Sequence, residues 1–289
     1  SYAVFAYQTA YMKAYFPVEF MTAVMTAESD DPDKIAAAVT ECAKMKIKVL
    51  APDINKSETG FTIEEQGRER GIRFGLSAIK NVGTAAIEAI LSERNSKDEF
   101  KSLNDFVSRV NLRVVNRKTL DSLIKAGTMD MFGKRNAMLK VLDDLKTSNV
   151  SLSKKVAEGQ GSLFDKSDQS FDVASSVIDA ELEKTPEAPR EEILSWEREL
   201  LGFYLTEHPL SKYASKISRI ASTKIDEIDM QLASKTVRLA GIIMSIRKTF
   251  TKVRQEEMCF LKLADTTGAV EVIVFPKVYT ISREFIAPD

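Results

Sequence analysis

The hydrophobic pattern changes period several times along the chain, and each change marks an element. Residues 2–27 are almost continuously apolar or aromatic, with Tyr7, Tyr11 and Tyr15 at helical spacing and Pro17 as an interruption. This predicts a pair of buried helices with the tyrosine stripe in the core. Asp31-Pro32-Asp33 reads as a helix start, with Asp at the cap and Pro in the first turn, opening a helix that carries Ile35, Ala38, Val39 and Cys42. The texture then changes. Ile47–Leu50, Gly60–Ile63 and Gly71–Phe74 are short β-type runs separated by Pro, Asn and Gly, which predicts a small ribbon or sheet.

A helical stretch follows to about residue 147. Residues 148–190 are rich in Ser, Asp, Glu and Gln with few bulky apolar positions, the composition of a long flexible linker. Helical character returns over 191–216 around Trp196, Leu200 and Leu201. From Thr236 the pattern alternates, predicting strands at Val237–Ile243, Cys259–Leu263 and Val270–Phe275, with Asp265-Thr266-Thr267-Gly268 as the turn between the last two. Three antiparallel strands opening with a Gly bend look like the first half of a barrel of the oligonucleotide-binding type. The expected fold is therefore multidomain and mainly α, with a partial antiparallel β-barrel at the C-terminal end.

Composition narrows the function classes. The 289 residues exceed one comfortable core, and 44% hydrophobic with 29% charged residues is ordinary for a globular protein. No run of eighteen apolar residues exists, so the expected location is cytoplasmic, with no membrane partner. The chain begins Ser-Tyr-Ala-Val-Phe, with no initiator Met and no signal sequence, and reads as a piece of something longer. Cys42 and Cys259 lie far apart, and the single histidine, His208, has no cysteine neighbours, so no metal site is expected. Asp31 and Asp33 could serve a two-metal centre, but the intervening proline and the following helix explain them as capping groups. The net charge of -1 hides an asymmetry: residues 68–140 carry 15 Lys and Arg against 8 Asp and Glu, whereas 141–200 carry 7 against 14. A basic block of this kind suits an anionic partner, although two mutually attracting surfaces would give the same count.

The DNA signal is local. In Phe74–Ile90, Leu76, Ile79 and Val82 form one apolar stripe and Ile87 and Ile90 another, hinged at Asn81-Val82-Gly83. This resembles the helix-hairpin-helix motif, in which backbone N–H groups at a helix start bind a phosphate. Asn81 stands where the motif usually has glycine, and Asn is the next best residue for a left-handed turn. The candidate phosphate contacts are Lys80, Asn81, Gly83 and Thr84; an αα-hairpin without a ligand would look similar. A second helical hairpin follows, with Ser102 and Asp105 at capping-box spacing and Asn116 opening the next helix. Arg113, Arg117 and Lys118 gather at its junction and extend the candidate DNA track. In the acidic stretch, Gln160-Gly161-Ser162-Leu163-Phe164 leaves two hydrophobes with no core to join. Leu163 and Phe164 suit anchors in a partner's pocket, with Gln160 at the rim, and the peptide resembles the Gln-x-x-Leu-Phe sequence by which bacterial replication proteins bind the sliding clamp.

Phe5–Met21, Ile72–Lys80, Leu123–Gly127 and Leu201–Leu210 are similar to segments of the alpha subunit of bacterial DNA polymerase III, in that family's order. The resemblance implies four parts: 1–58, the end of the fingers; 59–147, a clamp-binding domain with the helix-hairpin-helix; 148–225, a linker with the clamp peptide and a short helix; and 226–289, the start of an oligonucleotide-binding domain. It implies DNA-directed DNA polymerase activity for the parent protein, with the catalytic aspartates and magnesium in a palm that has no counterpart here. This sequence alone is expected to be inactive and to hold no catalytic residue, metal or cofactor. The implied partners are primer-template duplex, the sliding clamp (beta subunit) and other replicase holoenzyme subunits. The competing reading is a free-standing, non-enzymatic DNA-binding adaptor built from helix-hairpin-helix and oligonucleotide-binding modules.

Overall fold

The computed structural model describes residues 2–67, 69–143, 185–207, 209–252 and 254–286. They fall into two compact units, Ser1–Leu205 and Thr206–Asp289. Residues 148–184 of the stretch expected to be a linker, and with them the pentapeptide of Gln160, Leu163 and Phe164, lie outside the described residues.

The first unit opens with α1 (Tyr2–Tyr15), α2 (Pro17–Ala27) and α3 (Pro32–Lys44). Pro17 ends α1 and begins α2, where its missing N–H and fixed φ are harmless. Asp31 caps α3 by accepting from the amides of Asp33 and Lys34 at 3.1 and 3.2 Å, so these carboxylates have a structural use. The expectation of two buried helices holds for α2, whose Met21 and Met25 are buried, and fails for α1, which buries nothing. The tyrosine stripe forms a ladder along the outside, with ring centroids 6.4 and 4.5 Å apart and Tyr7 70% exposed. Continuous hydrophobicity identifies the helix but cannot say what covers it.

A three-stranded sheet follows: β1 (Lys48–Leu50), β2 (Thr62–Gln66) and β3 (Glu69–Arg73), with β3 central, parallel to β1 and antiparallel to β2. The chain then forms a single 3-10 turn at Leu76–Ala78, α4 (Thr84–Lys97), α5 (Leu103–Arg109), α6 (Arg117–Lys125), α7 (135–143) and, after the undescribed stretch, α8 (Arg190–Leu201). Ser102 caps α5 by accepting from the Asp105 amide at 3.1 Å, while Asp105 accepts from the Lys101 amide at 3.0 Å. Asn116 caps α6 through the Thr119 amide at 3.1 Å. One hydrophobic core joins these elements: Met25 of α2, Ile35 of α3, Phe74, Leu76, Ile79, Ile87 and Ile90 of the hairpin, Phe106 of α5, Leu123 of α6 and Leu200 and Leu201 of α8. α8 is thus an integral part of this unit.

The second unit contains α9 (Ala214–Ile220), an antiparallel sheet of β4 (Ile242–Phe250), β5 (Glu257–Ala264) and β6 (Ala269–Val274), and α10 (Pro276–Ser282). The first strand starts later than the pattern suggests: residues 236–241 are irregular and the strand runs on to Phe250. Gly241 sits so close to β5 that a Cβ there would meet the Ala264 carbonyl oxygen at 2.5 Å, so the strand begins directly after a residue that must lack a side chain. The β5–β6 turn forms as expected. The Asp265 carboxylate accepts from the amides of Thr267 and Gly268 at 2.7 and 3.0 Å, and from Ile225 at 2.9 Å. Burial pushes the Asp265 carboxyl up, but these bonds and the Thr267 hydroxyl hold it below its ordinary value. The sheet is open, a partial barrel of the oligonucleotide-binding type.

Core and surface should separate cleanly in mutagenesis. Met25→Ala is expected to cost about 2–5 kcal/mol in urea unfolding, and Tyr7→Ser less than about 0.5 kcal/mol.

Candidate nucleic-acid interface

The hairpin is lopsided. Its first arm is one 3-10 turn, closed by the Ile79 amide donating to the Leu76 carbonyl at 3.2 Å, and its second arm is the 14-residue α4. Leu76, Ile79, Val82, Ile87 and Ile90 are all buried, so the apolar stripes fix both arms on the core. Between them Asn81 takes φ +69°, the left-handed conformation its position demands. Its side-chain amide donates to Ser122 Oγ at 3.2 Å, and its carbonyl accepts from Thr119 Oγ1 at 3.1 Å. The Asn81 side chain is therefore engaged within the protein, holding the turn against α6.

α4 starts from Gly83 with no side-chain cap. The Gly83 carbonyl accepts from the amides of Ala86 and Ile87 at 3.0 and 3.1 Å. The amides of Gly83, Thr84 and Ala85 precede the first intrahelical donors, and all three residues are exposed. At Gly83 φ is an unremarkable -83°, and an added Cβ would meet nothing within 4 Å. The fold does not require glycine here, and its absent side chain leaves the helix start open to a ligand. That start carries the positive end of the helix dipole and an exposed cation, Lys80, three residues before it.

The remaining candidates divide. Lys118 is exposed and adjoins Thr119, whose hydroxyl touches the turn, so Lys80 and Lys118 share the junction of hairpin and α6. Arg113 is exposed in the loop before α6, its amide bonded to Asn111 Oδ1 at 3.0 Å. Arg117 is engaged by carboxylates, with Nε 2.6 Å from Asp121 and Nη2 2.8 Å from Asp143. Lys80, Arg113 and Lys118 form no ion pair among the described residues. Sequence reading passed over Thr119 and Ser122, the braces of the turn. The available signal was two small polar residues three apart on the otherwise apolar buried face of α6.

The second unit offers another surface. Arg247 lies over the Phe260 ring at 4.7 Å, beside Lys262 and Ser245, in a cleft of about 370 Å³ on the open sheet face. Among the described residues no three His, Cys, Asp or Glu side chains gather as a metal site would need, and no helix is long and apolar enough to cross a membrane.

Substitutions at the turn should report its conformation. Asn81→Ala is expected to cost about 1–2 kcal/mol, since alanine disfavours the left-handed region and leaves Ser122 without its donor. Gly83→Ala should stay within about 0.5 kcal/mol, both read from denaturation midpoints at constant m.

Residues 46–139 match a helix-hairpin-helix motif family, which covers the sheet, both helical hairpins and most of α7. Similarity to curated proteins runs further. The chain is 36% identical over 276 residues to the DNA polymerase III subunit alpha of Haemophilus influenzae, covering 95% of this chain and 23% of that protein. It is 38% identical over 288 residues to that of Thermus aquaticus, covering 96% and 22%, and 34% identical over 290 residues to that of Vibrio cholerae, covering 100% and 24%. The chain thus spans about a quarter of the length of the curated relatives it matches. From its exposed aromatic helix through the hairpin to the open sheet, its sequence fits a C-terminal portion of the DNA polymerase III alpha subunit.

Proposed function

We propose that this chain is part of the DNA-directed DNA polymerase of bacterial chromosome replication and that it grips duplex DNA by the phosphate backbone. The observation carrying this reading is the uncapped start of α4, with open space at Gly83 and exposed Lys80 beside it. Such a site attracts a phosphate through backbone donors, the helix dipole and one mobile cation, and it reads no base sequence. Lys118 and Arg113 extend the contact along the duplex; Arg117, held by Asp121 and Asp143, orders the α6 start. Gln160, Leu163 and Phe164 tether the enzyme to the sliding clamp. A tether raises the local concentration of enzyme at the primer terminus, and processivity follows without new chemistry. Nucleotidyl transfer, with its magnesium, is assigned to a palm domain outside this sequence. The Arg247–Phe260 face of the second unit, a cation stacked on a half-buried ring and 3.8 Å from the Glu271 carboxylate, suits a single strand.

One titration with matched variants tests both contacts. Binding of the chain to primed duplex is followed by fluorescence anisotropy at several salt concentrations, and binding to the sliding clamp separately. Lys80→Gln with Lys118→Gln should reduce the slope of log K against log salt by about two, close to one for each lost phosphate contact. Leu163→Ala with Phe164→Ala should abolish clamp binding and leave DNA affinity nearly unchanged. Binding without salt dependence would sink the DNA assignment, and unaltered clamp affinity would sink the tether.

A further inference from the structure

The hairpin turn is braced from a second side, by a helix almost 120 residues further along the chain. The Lys80 amide donates to the carbonyl of Leu200, near the end of α8, at 3.0 Å. What fixes α8 is unusual. Glu197, one turn before Leu200 on the same buried face, is fully buried. Its Oε1 lies 3.3 Å from Arg135 Nη1, and its Oε2 accepts from the Leu205 amide at 2.8 Å. Arg135, at the start of α7, is itself buried and also grips the Asp130 carboxylate at 2.9 and 2.8 Å and the Lys125 carbonyl at 3.0 Å. Burial works against the Arg135 cation, but Asp130 and Glu197 more than offset it, so its pKa is raised. The chain just before α8 is also held: Glu187 caps α7 by accepting from the amides of Arg135 and Asn136, both at 3.2 Å.

A buried carboxylate is a poor way to gain stability, because desolvation consumes most of the attraction. It is a good way to fix position: Oε1 ties α8 to Arg135 of α7, and Oε2 ties the chain leaving α8 back onto the helix through the Leu205 amide. We propose that Glu197 is a positioning residue for the phosphate-binding turn. The pair with Arg135 sets the placement of α8, and Leu200, rigidly one turn on, then holds the Lys80 amide inward. With that amide occupied and Asn81 tied to α6, the exposed Lys80 side chain and the amides of Gly83 to Ala85 are presented together. This inference rests on the DNA-binding reading.

The sign of the effect separates positioning from electrostatics. Glu197→Gln removes a negative charge, and charge alone would tighten DNA binding. Positioning predicts a loss of duplex affinity of about three- to tenfold, because preorganisation is lost. The salt slope should match wild type, since no phosphate contact is removed, and the Lys80 amide should exchange faster with solvent deuterium. Wild-type or tighter affinity with an unchanged Lys80 exchange rate overturns the proposal, as does a reduced salt slope. If Glu197→Gln does not fold, Arg135→Lys provides the second variant. It keeps a cation beside Asp130 but gives up the guanidinium Nη1 that reaches Glu197, so it breaks the pair from the other side with the charge retained. The same signature is expected, and wild-type behaviour overturns the proposal. Should the wild-type chain show no salt-sensitive binding, the DNA reading fails, and the Lys80 exchange rate still decides whether Glu197 holds the turn.

Discussion

Three hydrogen bonds on two consecutive residues set the geometry on which the candidate site depends. Asn81 takes a left-handed conformation, its carbonyl and side-chain amide are held by Thr119 and Ser122, and the Lys80 amide is held by Leu200. A left-handed residue other than glycine carries a conformational penalty, and it persists where its surroundings over-determine it. Here α6 and α8 do so from two directions. The result is a helix start whose first amides have no partner among the described residues, with open space where a side chain at Gly83 would stand.

The support is mainly apolar. Phe74, Leu76, Ile79, Ile87 and Ile90 anchor the hairpin arms in a core shared with α2, α3, α5, α6 and α8. Apolar packing is tolerant of small shifts, and a phosphate site is not. The polar contacts supply the missing precision: Ser57, Arg94, Thr119, Ser122, Thr128, Arg135 and Glu197 are the buried polar groups closest in character to this task. Ser57 donates to the Phe74 carbonyl at 2.7 Å, and Arg94 bonds the carbonyls of Ile54 and Ser57. Buried polar groups in this unit thus fix loops and helix ends where the apolar core alone would leave freedom.

Much of this was legible in the sequence wherever the cause is local. Asp31, Ser102 and Asn116 cap the helices they were expected to cap, Asp265 organises its turn, and Asn81 adopts the conformation that only a few residue types accept. Features set by distant parts of the chain were not legible. The tyrosines of α1 have the pattern of a core stripe and lie outside. Arg117 reads as a free cation until Asp143 is brought to it from 26 positions away. The run at 237–243 has strand character, yet Gly241 marks where the strand can begin and not its middle. The bracing of the hairpin by α8 has no sequence signature, because Glu197 looks like one more charge on an acidic helix.

The account stands or falls on where DNA touches the first unit. Amide chemical shifts of the isotopically labelled chain, recorded as short primed duplex is added, test this most directly. The amides of Gly83, Thr84 and Ala85 and that of Lys118 should move together and saturate at the same duplex concentration. Saturable binding that leaves those amides unmoved while perturbing other surfaces would contradict it.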